Sequence, residues 1–264
     1  MGAKKRQVVV MIHTGSIAIG HHSGMSFNHL VKGIYPKNLK TPDNDIYPLP
    51  YSDKYFSEYN MFWSLLSNAA NFAFANRLFL GLMVYKALDS ILGEFAYNLL
   101  YDSPHNLVWK EEFDGNICFL HRKGACPSRG MSQMTGTNFE YYGEPVFIPD
   151  SMGSSSFILA GLGNRQSLFS SSHGAGRSLS RGKAKKANHI LFKDFINRFK
   201  VITPIDPNKP DIKSRPDIIK KWEDELKSEA PYAYKEITPI IKTHVDNKIA
   251  KVVAQLEPIL TIKG

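Results

Sequence analysis

The sequence predicts an α+β chain, because strand-like and helical patterns both occur along it in well-separated blocks. Short apolar or alternating runs read as strands at 7–12, at LVWKEEF after Asn106, at 116–125 and at the C-terminal EPILTIKG. Helical apolar spacing runs from Ser57 to about Leu88 and returns at 216–228 and from Ile240 to Ala254. The 264 residues are 43% hydrophobic and 12% aromatic, enough to fill the core of one large domain or two small ones.

No run of about 18 uncharged apolar residues is present, so no membrane span is expected. Lys4, Lys5 and Arg6 lead straight into Val8, Val9 and Val10 without the apolar segment of a secretory signal. The expected location is the cytoplasm. Cys118 and Cys126 are too few for a disulfide framework and lack the spacing of a zinc site, so both read as reduced thiols, Cys118 inside a strand. The net charge of +9 favours polyanionic partners, although many basic proteins bind no nucleic acid.

Along the chain, the strand QVVVMI ends at His13, followed by the turn Thr14-Gly15-Ser16. A histidine there can reach into a site. The spacing from Gly15 to Gly20 is that of a nucleotide P-loop, but His21 and His22 stand where lysine and a hydroxyl residue are needed, which excludes it. Pro36, Pro42, Pro48 and Pro50 mark a long connection. The helical stretch after it has a face built on Met61, Leu65, Ala69, Phe72 and Ala73, interrupted by Asn76 and Arg77. An interior arginine needs an anionic partner, protein or RNA. Residues 102–106 form a turn before the next two strands, the second of which ends in the basic turn Arg122-Lys123-Gly124. The run Arg177, Arg181, Lys183, Lys185 and Lys186 is either a solvated helix face or an RNA-backbone contact.

The chemistry concentrates between Phe147 and Arg181. His173 is preceded by three serines and followed by Gly174, Ala175, Gly176 and Arg177. Small residues leave backbone N–H groups uncovered, and glycine allows them to converge on an anion. An arginine adds a planar fork suited to phosphate. Pro149, Asp150, Ser151, Met152 and Gly153 lead into a second serine run and supply the other half of such a cradle.

The strings SHGAGRxxSR at 172–181 and IPxSMGxxSF at 148–157 resemble those of the RtcB-type RNA ligases, which join RNA ends using GTP and manganese. HTGSxxxGHxSG from His13, FAxxNR ending at Arg77, the His105-Asn106 pair, RKGA from Arg122, EAPxAYK from Glu229 and the terminal Ile262-Lys263-Gly264 extend the likeness over essentially the whole chain. The resemblance implies one catalytic domain over 1–264, with mixed sheets and surrounding helices around a central nucleotide and metal cleft. It also implies tRNA splicing or RNA repair, in which a 3′-phosphate or 2′,3′-cyclic phosphate is joined to a 5′-hydroxyl.

By the same resemblance His173 is the nucleophile that becomes guanylylated, and His13 and His105 bind manganese. Asn106, Pro149, Asp150, Ser151, Met152, Gly174, Ala175 and Gly176 hold the nucleotide, with Ser156, Tyr234 and Lys263 on the guanine. Arg122, Lys123, Arg177 and Arg181 face RNA. Two departures stand out. Ile17 occupies a position where the family often has arginine, and the family's early aspartate, cysteine and GNHFxE segment have no counterpart in the 264 residues. Two histidines then remain for one manganese. Three expectations follow: a ligase half working with a separate N-terminal fragment or an archease-like activator; a degenerate homologue that binds guanine nucleotide or RNA without ligating; or a basic RNA-binding or assembly protein on the same fold. The intact His173 loop and Lys263 favour the first.

Overall fold

The structure, a computed structural model, describes residues 5–49, 52–186 and 189–264. These residues form two compact units. The first comprises Arg6–Asp102 and Leu107–Leu120; the second gathers Ser103–Asn106 and His121–Gly264 together with Lys5.

The first unit is built on two helices, α1 (Ile17–Ile34) and α2 (Phe56–Leu92). Helix α2 is one uninterrupted element of 37 residues, the longer of the two forms its pattern allows. Helix α1 is not among the expected elements, because Gly20, Gly24 and Gly33 obscure its periodicity. Its apolar positions Phe27, Leu30, Val31 and Ile34 nevertheless follow helical spacing, with Val31 buried and Phe27 against Phe62 of α2. Strands β1 (Asn106–Phe113) and β2 (Asn116–Lys123) make a two-stranded hairpin, of which Leu107–Leu120 belongs to this unit. Its two-residue turn, Asp114-Gly115, has φ of 54° and 74°, as a tight turn matching the strand twist requires. Phe119 of β2 packs on Tyr59 and Trp63 of α2.

One expected strand is corrected here. Residues 7–12 take no regular strand form, and Val8, Val9 and Val10 are exposed. Strand propensity is realised only against a partner, and no described strand pairs with this run. Cys118 lies within β2, but its side chain is exposed.

In the second unit, β3 (Ala125–Pro127), β4 (Pro145–Ile148), β5 (Ser156–Gly161) and β6 (Ser170–Ser172) lead to α3 (Arg181–Lys185) and α4 (His189–Arg198). Then come β7 (Val201–Ile202), α5 (Pro210–Lys213), α6 (Pro216–Glu229), α7 (Thr238–Asp246), β8 (Ala250–Leu256) and β9 (Thr261–Ile262). The main sheet runs β4-β5-β8, antiparallel throughout, with Val146 opposite Leu159 and Leu159 opposite Val252. Strand β5 is central and its run Ile158-Leu159-Ala160 is wholly buried. β3 pairs with β6 antiparallel, and β7 with β9 in parallel.

The expected helix from Ile240 to Ala254 is corrected too: α7 ends at Asp246 and residues 250–256 form β8. Lys248 takes φ of 51°, which breaks the helix, and the following Val252 and Ala254 pair with Leu159 and Ile158 of β5 instead.

Two apolar clusters hold this unit. One joins Cys126, Val146, Ile148, Leu159, Ala175, Ile237 and Ala250; burial pushes the Cys126 thiol up to about 11. The other joins Met152, Phe192 and Leu226 with Phe195, Phe199 and Trp222 around them. Both clusters reach into the two cradle loops, through Ala175 and through Met152. Among the described residues no helix is long and apolar enough to cross a membrane.

Candidate functional site

His173 follows β6 directly, and the main chain decides where it stands. Its N–H donates to the Gly124 carbonyl at 3.0 Å. The Gly124 N–H in turn donates to the His105 carbonyl at 2.8 Å and to Asn106 Oδ1 at 3.0 Å. Gly124 thus ties the two histidine segments together from a φ of 68°, a conformation that disfavours a side chain. As a result the His105 and His173 rings stack with centroids 3.5 Å apart and planes within 2°. A ligand nitrogen of each ring lies within 4.8 Å of one on the other, close enough for one metal ion to take both.

The two serine-rich loops approach each other at Gly174 and Pro149. A Cβ built on Gly174 would lie 3.3 Å from the Pro149 carbonyl oxygen, so any larger residue there crowds the other loop. Ser172 Oγ donates to the Gly174 carbonyl at 2.9 Å and closes the turn that carries His173. Ala175 is buried in the first apolar cluster, which leaves Gly174 and Gly176 to shape the loop; Gly176 has φ of 75°. In the opposite loop Gly153 has φ of 79°, and a Cβ there would meet the Phe199 ring at 3.1 Å and Phe195 at 3.2 Å. Met152 is seated among the same aromatics.

Ser151 is buried, with its hydroxyl 3.0 Å from that of Ser154. Ser156 Oγ accepts from the Asp150 amide at 3.4 Å. Asp150 Oδ1 is buried and has no hydrogen-bond partner, and burial raises its carboxyl above the ordinary range. A buried carboxylate oxygen without a partner repels phosphate and calls for a donor, so it fits a ligand that offers N–H groups or a cation.

Tyr234 and Arg177 form one cluster with Glu229. The Tyr234 hydroxyl donates to Glu229 and accepts from Arg177 Nη1 at 3.1 Å, and Arg177 also lies over the Tyr234 ring. Burial and the adjacent Glu229 carboxylate push the Tyr234 phenol up to about 12. The remaining Arg177 donors go to the Leu179 and Ser228 carbonyls and to Glu229. Its guanidinium therefore braces the loop against α6. Arg181 is mostly exposed and touches Glu229 at 3.5 Å. Lys263 is half-buried, and its N–H donates to the Ile202 carbonyl at 2.9 Å, so the chain end is tied down beside β7.

Of the residues expected to face RNA, Lys123 is exposed, whereas Arg122 is 3% exposed, with its guanidinium on Ser170 Oγ at 2.8 Å and on the Leu168 carbonyl. These bonds hold a segment in which Leu168 and Phe169 both have positive φ, just ahead of β6. Arg122 therefore braces the approach to His173.

His13 belongs to the first unit and is exposed. The turn after it is gripped by α2: Arg77 Nη1 donates to the Thr14 carbonyl and Asn76 Nδ2 to that of Gly15, both at 3.1 Å. Arg77 Nε also donates to both oxygens of Asp102 at 2.8 and 2.9 Å, so its anionic partner is protein.

The family described as tRNA-splicing ligase RtcB matches residues 1–264. The tRNA-splicing ligase RtcB of Nanoarchaeum equitans is 33% identical over 273 residues, which cover 99% of this chain and 53% of that protein. The RNA-splicing ligase RtcB homolog 1 of Entamoeba dispar is 30% identical, over 98% of this chain and 47% of its own length. The Pyrococcus horikoshii tRNA-splicing ligase RtcB is also 30% identical, over all of this chain and 30% of the relative. The chain thus spans about half or less of these relatives. A match that runs the full length of the 264 residues, over loops whose glycines the geometry requires, makes the chain a member of the RtcB family.

Proposed function

We propose that this chain carries the guanylyl-transfer part of an RNA ligase that joins a 3′-phosphate, or a 2′,3′-cyclic phosphate after opening, to a 5′-hydroxyl. The observation that carries the reading is the close approach of the two glycine- and serine-rich loops at Gly174 and Pro149, with His173 next to Gly174 in one of them.

In this mechanism an unprotonated nitrogen of His173 attacks the α-phosphorus of GTP, a P–N bond forms, and pyrophosphate leaves. The Gly174–Gly176 backbone and Ser151 orient the phosphate. An oxygen of the RNA 3′-phosphate then attacks the same phosphorus, breaking the P–N bond and returning His173. The 5′-hydroxyl finally attacks the 3′-phosphorus, the new phosphodiester forms, and GMP is expelled. Tyr234, Ser156 and Lys263 recognise guanine, Asp150 accepts a ligand N–H, and Asn106 lies beside the nucleotide. Lys123 and Arg181 are exposed and available to RNA.

His13 and His105 are the residues proposed to hold manganese, and imidazole is a donor type such an ion accepts. When bound, the ion would neutralise phosphate charge in the cradle. Two imidazoles leave most of its coordination positions to other groups. Mn²⁺ binding to the 264 residues alone should therefore be weak and should tighten when GTP adds phosphate oxygens, which titration calorimetry with and without GTP checks. Full ligation is proposed to need the aspartate, cysteine and GNHFxE ligands, supplied by an N-terminal part or a separate fragment.

The direct test is mass spectrometry after incubation with GTP and Mn²⁺. A GMP adduct on His173, acid-labile because it is bound through nitrogen, is the expected result. An adduct on Lys123 or Lys263 that survives His173→Ala would overturn the assignment.

A further inference from the structure

His244 lies in the last turn of α7, is 3% exposed, and has no part in the chemistry above. Its Nε2 is 3.1 Å from the backbone nitrogen of Ser172 and 2.8 Å from Ser171 Oγ, and its Nδ1 is 2.6 Å from the Ile240 carbonyl oxygen. A peptide N–H can only donate and a peptide carbonyl can only accept. Nε2 therefore carries the lone pair and Nδ1 the proton. Two main-chain groups fix the neutral tautomer.

A serine hydroxyl 2.8 Å from an imidazole has the spacing of a nucleophilic dyad. Burial argues against that use. Ser171 is 2% exposed, and the single lone pair on Nε2 already faces the Ser172 N–H, so neither substrate nor base is at hand.

The bond to Ser172 has a consequence one residue further on. Ser172 is held at its N–H by His244 and at its hydroxyl by the Gly174 carbonyl, while the next N–H, that of His173, is held by Gly124. The backbone is thus fixed before, at and after the nucleophile. We propose that His244 is a positioning residue for His173: it accepts the Ser172 N–H and sets the main chain from which the reacting imidazole projects. The proposal rests on the role given to His173 above, and His244 acts only through Ser172.

Without an acceptor at position 244, the half-buried Ser172 N–H is left with no partner, and the end of β6 relaxes to find one. Glutamine can place its Oε1 near the position of Nε2 and accept the same bond; leucine fills space but accepts nothing. The test has two arms.

In the first, single-turnover adduct formation with GTP and Mn²⁺ is followed in the wild type, His244→Gln and His244→Leu. The GTP concentration at half-saturation should stay within about threefold, while the rate constant for the His173 adduct falls roughly tenfold to a hundredfold in the leucine variant. The glutamine variant should recover most of that loss. An unchanged rate in the leucine variant would overturn the positioning role while leaving the His173 assignment intact. No adduct on His173 in the wild type would overturn that assignment, and the positioning role with it.

The second arm needs no activity and covers a leucine variant that fails to fold. In ¹⁵N-labelled wild type, His244 should show a protonated Nδ1, a bare Nε2 and a scalar coupling between Nε2 and the Ser172 amide nitrogen. A protonated Nε2, or no such coupling, sinks the proposal whatever the kinetics show.

Discussion

The segments carrying His13 and His173 are alike in sequence and unlike in support. Each has a histidine followed by glycine and small residues. His173 is held by main-chain bonds to Gly124, by the pairing of β6 with β3, and by buried Arg122 and His244. His13 sits on an exposed stretch without strand pairing, and the turn after it is gripped at two carbonyls by the side chains of Asn76 and Arg77. The main-chain part of the His173 support survives most substitutions, because it depends on little but shape. Support through side chains can be removed by changing one residue.

The sharpest way to break this contrast is Arg77→Ala. The substitution removes the bond to Thr14 and leaves Asp102 without its cation, in a place where Arg77 is 15% and Asp102 23% exposed. We expect a loss of roughly 2–4 kcal/mol in urea unfolding. Hydrogen exchange should accelerate at 14–19 and stay slow at 170–174. Asp102→Asn should cost less, and the double variant should cost less than the sum. Equal acceleration in both segments would show that they are not supported independently. A smaller effect is expected at the nucleotide: Lys263→Ala should weaken GMP binding by about 1–3 kcal/mol, as for a lost charge-assisted hydrogen bond, and should leave AMP binding almost unchanged. Calorimetry that finds equal losses for both would remove Lys263 from guanine recognition.

The contrast also explains which features the sequence showed. The glycines of the two loops were readable because backbone conformation and close approach demand them: Gly153 and Gly176 take positive φ, and Gly174 faces Pro149 at close range. Helix α2 and the hairpin were readable because period and turn chemistry are local. What supports the histidines was not. Arg122 looks like any basic turn residue until burial sets it against Ser170, and His244 looks like any helical histidine until β6 is brought to it from 72 residues away. Strand 7–12 failed for the same reason in reverse, since its apolar pattern is local and its missing partner is not. The tail from 250 to 256 turned out to be strand because the β5 edge is there to receive it.

The finest test concerns Asp150, where stability and binding should move in opposite directions. Its Oδ1 is buried without a partner and burial raises its carboxyl above the reference value of 3.8, with the Ser151 amide offsetting part of the effect. For an acid whose pKa is higher in the folded state, the folded chain binds the proton more tightly. The group then favours folding most below 3.8, and that contribution is lost as pH rises from 3.8 through the raised folded value. At neutral pH the charged carboxylate is a standing cost to the fold. Asp150→Asn removes the charge while keeping the shape, so its urea midpoint should exceed that of the wild type at pH 7, and the gap should close as pH falls toward 4. A carboxylate kept at such a cost suits a ligand that brings donors to it. The same variant should therefore bind GMP more weakly, since a carboxamide presents only one acceptor oxygen and no charge. A variant both more stable and equally good at binding GMP would show that Oδ1 faces no nucleotide donor, and Asp150 would then be a feature of the loop alone.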